Sequence, residues 1–393
     1  MRSYDISLDN NKGDYILSIT AFMQPILTLM QLYMIDALRL EPESTNQFRV
    51  MATALPVVFA MVIVLNRKPI LAATVYGIAL LVLLLTVFAF PDRWQYMKND
   101  VMKFTLPVVI PIGLCISSIK NLAVLTRSML YVALLAAILS IFYMYSYLSG
   151  GFMMESYSMA FSYSLLFPAF ILLSKENLFW KLVGIILMLE MLAIGSRGAF
   201  LVSTAYFLYT IFGKKVSFSR ITIYGSFLLM FILVFWNIII SALVDLFNLL
   251  GIRSRTLSLL MDNEIITHDS GRDDIASSAW ELIDKAPILG NGVWADRQYI
   301  GGYCHNIFLE LLVDFGYVGF FLIIFLFLFY QIKIFRKIPT NHKTMYVMMF
   351  SLVVPLLVSS SYLTSFNVGM FLGFSYLISS LYNRKLYQNF QYN

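Results

Sequence analysis

Long apolar runs separated by short polar connections dominate the chain. Runs near the roughly 20 residues that a helix needs to cross a bilayer fall at about 15–35, 50–65, 70–90, 104–119, 128–148, 159–174, 181–195, 198–212, 220–244, 306–332, 345–361 and 366–382. This pattern predicts twelve membrane helices in an all-α polytopic protein. Between 245 and 304 the pattern changes to a long polar segment, which divides the chain into helices 1–9 (1–244), a large loop (245–304) and helices 10–12 with a tail (305–393). Inside the loop, Ser270 is placed to cap a short amphipathic helix, and Asp273 and Asp274 suit its first turn. Ile275, Ala279, Leu282 and Ile283 give that helix an apolar stripe, Pro287 stops it, and the following Leu-Gly-Asn-Gly reads as a turn.

Composition agrees and adds an orientation. The 393 residues are 60% hydrophobic and only 13% charged, with a mean hydropathy of +0.77, which excludes a soluble domain. The net charge of +6 matters less than its distribution. Of the 28 Lys and Arg, 17 lie in one alternating set of connections and termini, 6 in the short loops of the other set and 5 in the long loop. Basic residues concentrate on the cytoplasmic side, so both termini are expected inside and the long loop outside. The N-terminus, MRSYDISLDNNKGDY, is polar and runs into an apolar segment without a cleavage pattern, which predicts a first membrane helix and not a removable signal. Cys115 and Cys304 stand in such different settings that no disulfide is expected.

Few residues are equipped for chemistry. Arg197, in IGSRGAFLVS, is flanked by apolar runs too short to span the hydrocarbon core, which places the Ser196-Arg197-Gly198 turn below the outer surface. Glu190 lies two helical turns earlier on nearly the same face and is a candidate partner for it. The alternative reading of Arg197 is an arginine whose head reaches the headgroups, although charges inside a membrane are functional by default. Of three histidines, His342 falls in an inner loop, leaving His268 and His305 outside. No spacing offers a metal site; Asp262, Glu264, Asp269, Asp273 and Asp274 read as a solvated acidic face or as a cluster able to hold a cation weakly. His305 stands in YCHNIFLELLVDFGYVGFFL where the polar loop becomes the tenth membrane helix, with Gly316 and Gly319 allowing close helix packing. An imidazole at such a boundary can exchange a proton near neutral pH, or simply cap the helix.

Together these residues resemble the O-antigen polymerase and O-antigen ligase superfamily of bacterial envelope glycosyltransferases. His305, Asn306, Gly316 and Gly319 fit the spacing of the ligase signature, while Phe320 departs from its last position. Ser196-Arg197-Gly198 resembles a second signature, and Arg272 followed by the Pro-x-x-Gly-x-Gly of 287–292 resembles a third. The resemblance implies a glycosyltransferase-C-like membrane fold with the site on the outer side of the bacterial plasma membrane. It implies undecaprenyl-diphosphate-linked glycans as donor and acceptor, with no metal, cofactor or nucleic acid, and membrane lipids and a chain-length regulator as partners. Arg197 and Arg272 would bind the diphosphate through their planar forks of donors, His305 would act as base, and Ser196, Asn306 and Glu190 would support them. A polymerase is the expected member, with a ligase acting on lipid A-core the alternative; a twelve-helix transporter is the competing class.

Overall fold

The computed structural model describes residues 2–149, 159–194, 196–213, 236–249, 251 and 272–391. Among them the chain is helical and contains no strand. In order run α1 (Arg2–Phe22), α2 (Gln24–Asp36), α3 (Pro42–Arg67), α4 (Pro69–Ala89), α5 (Trp94–Asp100), α6 (Ile110–Ser117), α7 (Leu122–Leu148) and α8 (Met159–Leu173). There follow α9 (Leu178–Ile194), α10 (Arg197–Leu208), α11 (Trp236–Leu249), α12 (Arg272–Lys285), α13 (Ala295–Tyr299), α14 (Ile307–Lys337), α15 (Thr340–Ser351) and α16 (Phe366–Gln391).

Five helical runs among the described residues are long and apolar enough to cross a membrane: α3, α4, Pro91–Ser117, α7 and α14. A sixth is the pair α1 and α2, bent by 46°, where Pro25 at the start of α2 removes a backbone donor. The protein is therefore a helical membrane protein. The expected spans at 159–174, 198–212, 345–361 and 366–382 correspond to shorter apolar helices. That at 345–361 is interrupted after Ser351 and continues as a 3₁₀ turn, Val354–Leu357, around Pro355. Of the expected 220–244 helix, residues before 236 lie outside the described residues. The connection expected before 104 is instead helical. Residues 91–117 form one run, with a π-helical stretch over Val101–Val109 where Pro107 cannot complete the α ladder.

The chain divides into two compact units, residues 1–22, 50–128 and 270–393 in the first, 23–49 and 129–269 in the second. In the first, α6 packs on α16 through backbone. A Cβ at Gly369 would lie 2.2 Å from the Val109 carbonyl oxygen, and one at Gly373 2.3 Å from that of Gly113. This Gly-x-x-x-Gly spacing permits the close approach on which helix association in lipid depends. Below it, buried Asp14 pairs with Arg67 and accepts from the Asn121 backbone N–H at 2.8 Å, closing the connection between α6 and α7. In the second unit, α8 and α9 form a close hairpin in which Gly184 faces Leu173, and the Tyr206 ring of α10 packs 4.5 Å from Phe170 of α8.

The expected amphipathic helix is α12. Ala279, Leu282 and Ile283 are buried and Ile275 half-buried, and the helix ends at Lys285, before Pro287. Its expected cap, Ser270, lies outside the described residues. Ala279, Leu282 and Ile283 pack with Ala295, Cys304, Leu312 and Val313, and with Phe320 at the edge.

Gly316, expected within a continuous helix, instead breaks α14, with φ 61° and ψ −172°. An unbroken helix would pair the N–H groups of Tyr317 and Val318 with the carbonyls of Val313 and Asp314. Here those four groups bond to the 287–292 turn. Tyr317 and Val318 donate to the carbonyls of Pro287 (2.7 Å) and Ile288 (3.2 Å), and Asn291 and Gly292 donate to those of Val313 (2.7 Å) and Asp314 (2.9 Å). The Asn291 side chain also donates to Leu282 at 2.8 Å, tying in the end of α12. Space allows only glycine at the crossing: a Cβ on Gly290 would lie 2.4 Å from the Gly316 nitrogen, and one on Gly316 2.5 Å from the Gly290 nitrogen.

Gly290→Ala and Gly316→Ala should each destabilise the protein by at least the ~1–3 kcal/mol of left-handed strain. Because both press on one contact, the double variant should lose less than the sum of the two. Thermal unfolding of the purified proteins in detergent checks this; strict additivity would mean the two glycines do not share a contact.

Candidate functional site

Arg272 and His305 stand at the two ends of the segment that leads from α12 into α14. Arg272 opens α12, and its positive charge acts on His305. His305 is half-buried, immediately before Asn306, and has a left-handed backbone with φ 54°. A non-glycine residue in that region stores strain and marks a position held by its surroundings. The Tyr303 ring lies 4.1 Å from the imidazole, centroid to centroid. His305 Nδ1 is buried and finds no hydrogen-bond partner among the described residues. Burial first, and the Arg272 charge second, lower the His305 pKa below its ordinary value, so the imidazole is neutral and able to accept a proton at neutral pH.

The Tyr303 ring, 5.8 Å from the Arg297 guanidinium, links His305 to a buried charge cluster. Arg297 donates to Asp296 (2.5 Å), Glu310 (2.7 Å), Asp100 (3.1 Å) and the Ser361 hydroxyl (2.6 Å). Burial alone would depress its pKa, but the carboxylates of Asp296 and then Glu310 outweigh that and raise it above the ordinary value. Tyr362 donates to Asp314 at 2.6 Å, while the second oxygen of Asp314 is buried without a partner among the described residues. Burial and then Asp296 and Glu310 also raise the pKa of the Cys304 thiol, which keeps it protonated and inert. Arg93, fully buried, grips the same loop: it donates to the carbonyls of Asn291 (2.9 Å) and Val293 (3.3 Å) and to the Gln298 side chain (3.0 Å). Its guanidinium sits 4.0 Å above the Phe90 ring. Glu310 and Asp314, four residues apart within an apolar run, carried a visible signal, since carboxylates in membrane segments face the protein interior. Nothing local in the sequence tied Arg93 or Arg297 to them.

The remaining predicted residues divide by role. Asn306 is the N-cap of α14, its side-chain oxygen accepting from the backbone of Phe308 (2.8 Å) and Leu309 (3.4 Å). Ser196 is buried and joins α10 to α8, its N–H donating to Ser162 Oγ at 2.9 Å and its hydroxyl to Tyr163 at 3.2 Å. Glu190 is buried on α9 with Ser140 as a hydrogen-bond neighbour. Arg197 begins α10 in the second unit, and its side chain lies outside the described residues. His268, Asp262, Glu264 and Asp269 also lie outside them, while Asp273 and Asp274 are exposed in the first turn of α12. No group of metal-binding side chains occurs among the described residues. At the break itself, Ile288 and Leu289 of the paired turn are 64% and 78% exposed, and Val318 and Phe321 of α14 57% and 64%, the composition of a surface facing lipid. No protein-family model, curated protein or solved structure matches the chain.

Arg297→Met should cost about 3–5 kcal/mol, because it leaves buried carboxylates without their cation; thermal unfolding of the purified variant measures it, and a neutral substitution would show the carboxylates to be solvated. Arg272→Gln should raise the His305 titration midpoint toward the ordinary histidine value, observed by NMR of labelled imidazole. For His305 itself the sign is that of a base with a depressed folded pKa. The unfolded chain binds more protons between the folded value and about 6.5, so stability falls as pH drops through that window.

Proposed function

We propose that the protein polymerises a surface polysaccharide, moving a growing glycan from undecaprenyl diphosphate onto the next lipid-linked repeat unit. What supports this reading is a strained, half-buried His305 ahead of α14 that feels the charge of Arg272, in a protein with exposed apolar helix surface suited to a lipid-linked substrate. In the proposed step His305 takes the proton of an acceptor sugar hydroxyl while that oxygen attacks the anomeric carbon of the donor. The bond to the diphosphate breaks, the diphosphate leaves with the electron pair, and the anomeric configuration inverts. Arg272 neutralises the charge that develops on the leaving group, as an always-charged planar donor does best. Arg197 is the second proposed diphosphate ligand, on the sequence argument alone. The reading includes a glycosyltransferase-C-like arrangement of about twelve spans, both termini cytoplasmic and the site on the outer face of the bacterial plasma membrane.

One observation favours a second reading. Discontinuous helices such as α14, broken at Gly316, and the bent pair of α1 and α2 also build substrate sites in membrane carriers.

Arg272→Ala, His305→Ala and Arg197→Ala should each abolish polymer while the protein still accumulates in the membrane, and Arg197→Lys should be impaired because a point charge lacks the bidentate fork. Glycan profiles of a complemented deletion strain read all four. Long polymer persisting on the carrier, with only its transfer to lipid A-core lost, would make the protein a ligase. Solute uptake into proteoliposomes that survives His305→Ala would favour the carrier.

A further inference from the structure

Far along α14 from the break, a recess of about 60 Å³ opens between that helix and α16. Two cations line it, Lys333 and Lys337, together with the rings of Tyr330 and Tyr382 and the Ser379 hydroxyl, over a floor of buried Ile334 and Ile378. No carboxylate lines it. The lysines stand one helical turn apart on the same face, a spacing at which like charges repel, and neither pairs with a carboxylate among the described residues. Tyr330 and Ser379 are hydrogen-bond neighbours across the two helices, so the recess is bridged by polar groups of its own. Its chemistry is that of an anion site: two ammonium groups and three hydroxyls with nothing negative among them.

The helix surface leading away from the recess indicates where the anion comes from. On α14, Phe325, Leu326 and Phe329 are exposed, with the rings of Phe325 and Phe329 stacked 6.2 Å apart. We propose that the recess binds the phosphate headgroup of an anionic phospholipid, whose acyl chains lie along this exposed aromatic face. A free phosphate would use the lysines and leave the apolar face idle; a lipid uses both. Basic pockets between the ends of membrane helices are suited to such headgroups, and each lysine near an anionic membrane surface adds to the attraction. The site rests on membrane embedding alone and is independent of the glycan chemistry proposed above.

The test compares the full chain in nanodiscs of phosphatidylcholine with and without phosphatidylglycerol, reading the thermal unfolding midpoint and lipid retention by native mass spectrometry. Phosphatidylglycerol should raise the midpoint of the wild type. In Lys333→Gln/Lys337→Gln the shift should vanish and retention weaken about thirtyfold, with the midpoint in pure phosphatidylcholine unchanged. Lys333→Arg/Lys337→Arg should retain the shift. An equal shift in the glutamine variant overturns the proposal, and so does an equal shift of the wild type produced by inorganic phosphate, which would make this a free-anion site. Should the glutamine variant fail to fold, a photoreactive phosphatidylglycerol decides on the wild type: label within 330–337 and 378–382 supports the site, and label confined elsewhere overturns it.

Discussion

Four backbone hydrogen bonds between the 287–292 turn and the break in α14 are the constraint on which this part of the first unit depends. A helix interrupted in an apolar setting leaves amides and carbonyls that cost several kcal/mol each if nothing meets them. The turn supplies one partner for each, which makes the interruption stable and fixes the turn in a single register. The consequences spread outward from there. Asn291 joins the end of α12 to the same junction, and the short first part of α14 becomes an independent capped helix with Asn306 at its start. His305 is thereby held where the loop meets that cap.

Electrostatics performs the complementary task of holding the loop against the preceding helical run. Arg297 reaches Asp100, and Arg93 reaches the loop carbonyls, so the cations cross in opposite directions between the same two segments. A buried ion pair adds little net stability over a well-packed apolar substitute, yet removing one partner is costly because the other stays buried and charged. Such a cluster therefore specifies an arrangement more than it strengthens one. Asp296 and Glu310 pair with Arg297, while Asp314 accepts from Tyr362 and keeps one oxygen without a partner among the described residues.

The proposed chemistry inherits its geometry from these two constraints. Neither His305 nor Arg272 belongs to a membrane helix. Each sits at the end of an element anchored by Ala279, Leu282, Ile283, Leu312 and Val313, the small apolar core that joins α12 to α14. Phe320, the residue that departs from the ligase spacing, packs at the edge of that core with its ring 6.0 Å from Phe308, so its size serves packing here.

Hydrophobic periodicity made α3, α4, α7 and most of α14 legible, because a helix in lipid must satisfy its backbone internally and clothe itself in apolar side chains. The amphipathic stripe of α12 and the turn at 287–292 were legible for similarly local reasons, whereas the cap of α14, expected at His305, is Asn306. The count of spans was less so: Pro25, Pro107 and Pro355 bend, widen or interrupt helices whose hydropathy alone reads as continuous. Local sequence could also not reveal that Gly316 breaks a helix in order to meet Gly290, nor that Arg93, Asp100 and Arg297 meet, since those contacts join segments distant along the chain. The amino-acid sequence by itself determined which segments are apolar enough for lipid and which few polar residues are available for chemistry. Only the tertiary structure decided which of those residues face one another, because burial and charge pairing depend on neighbours that chain order does not name.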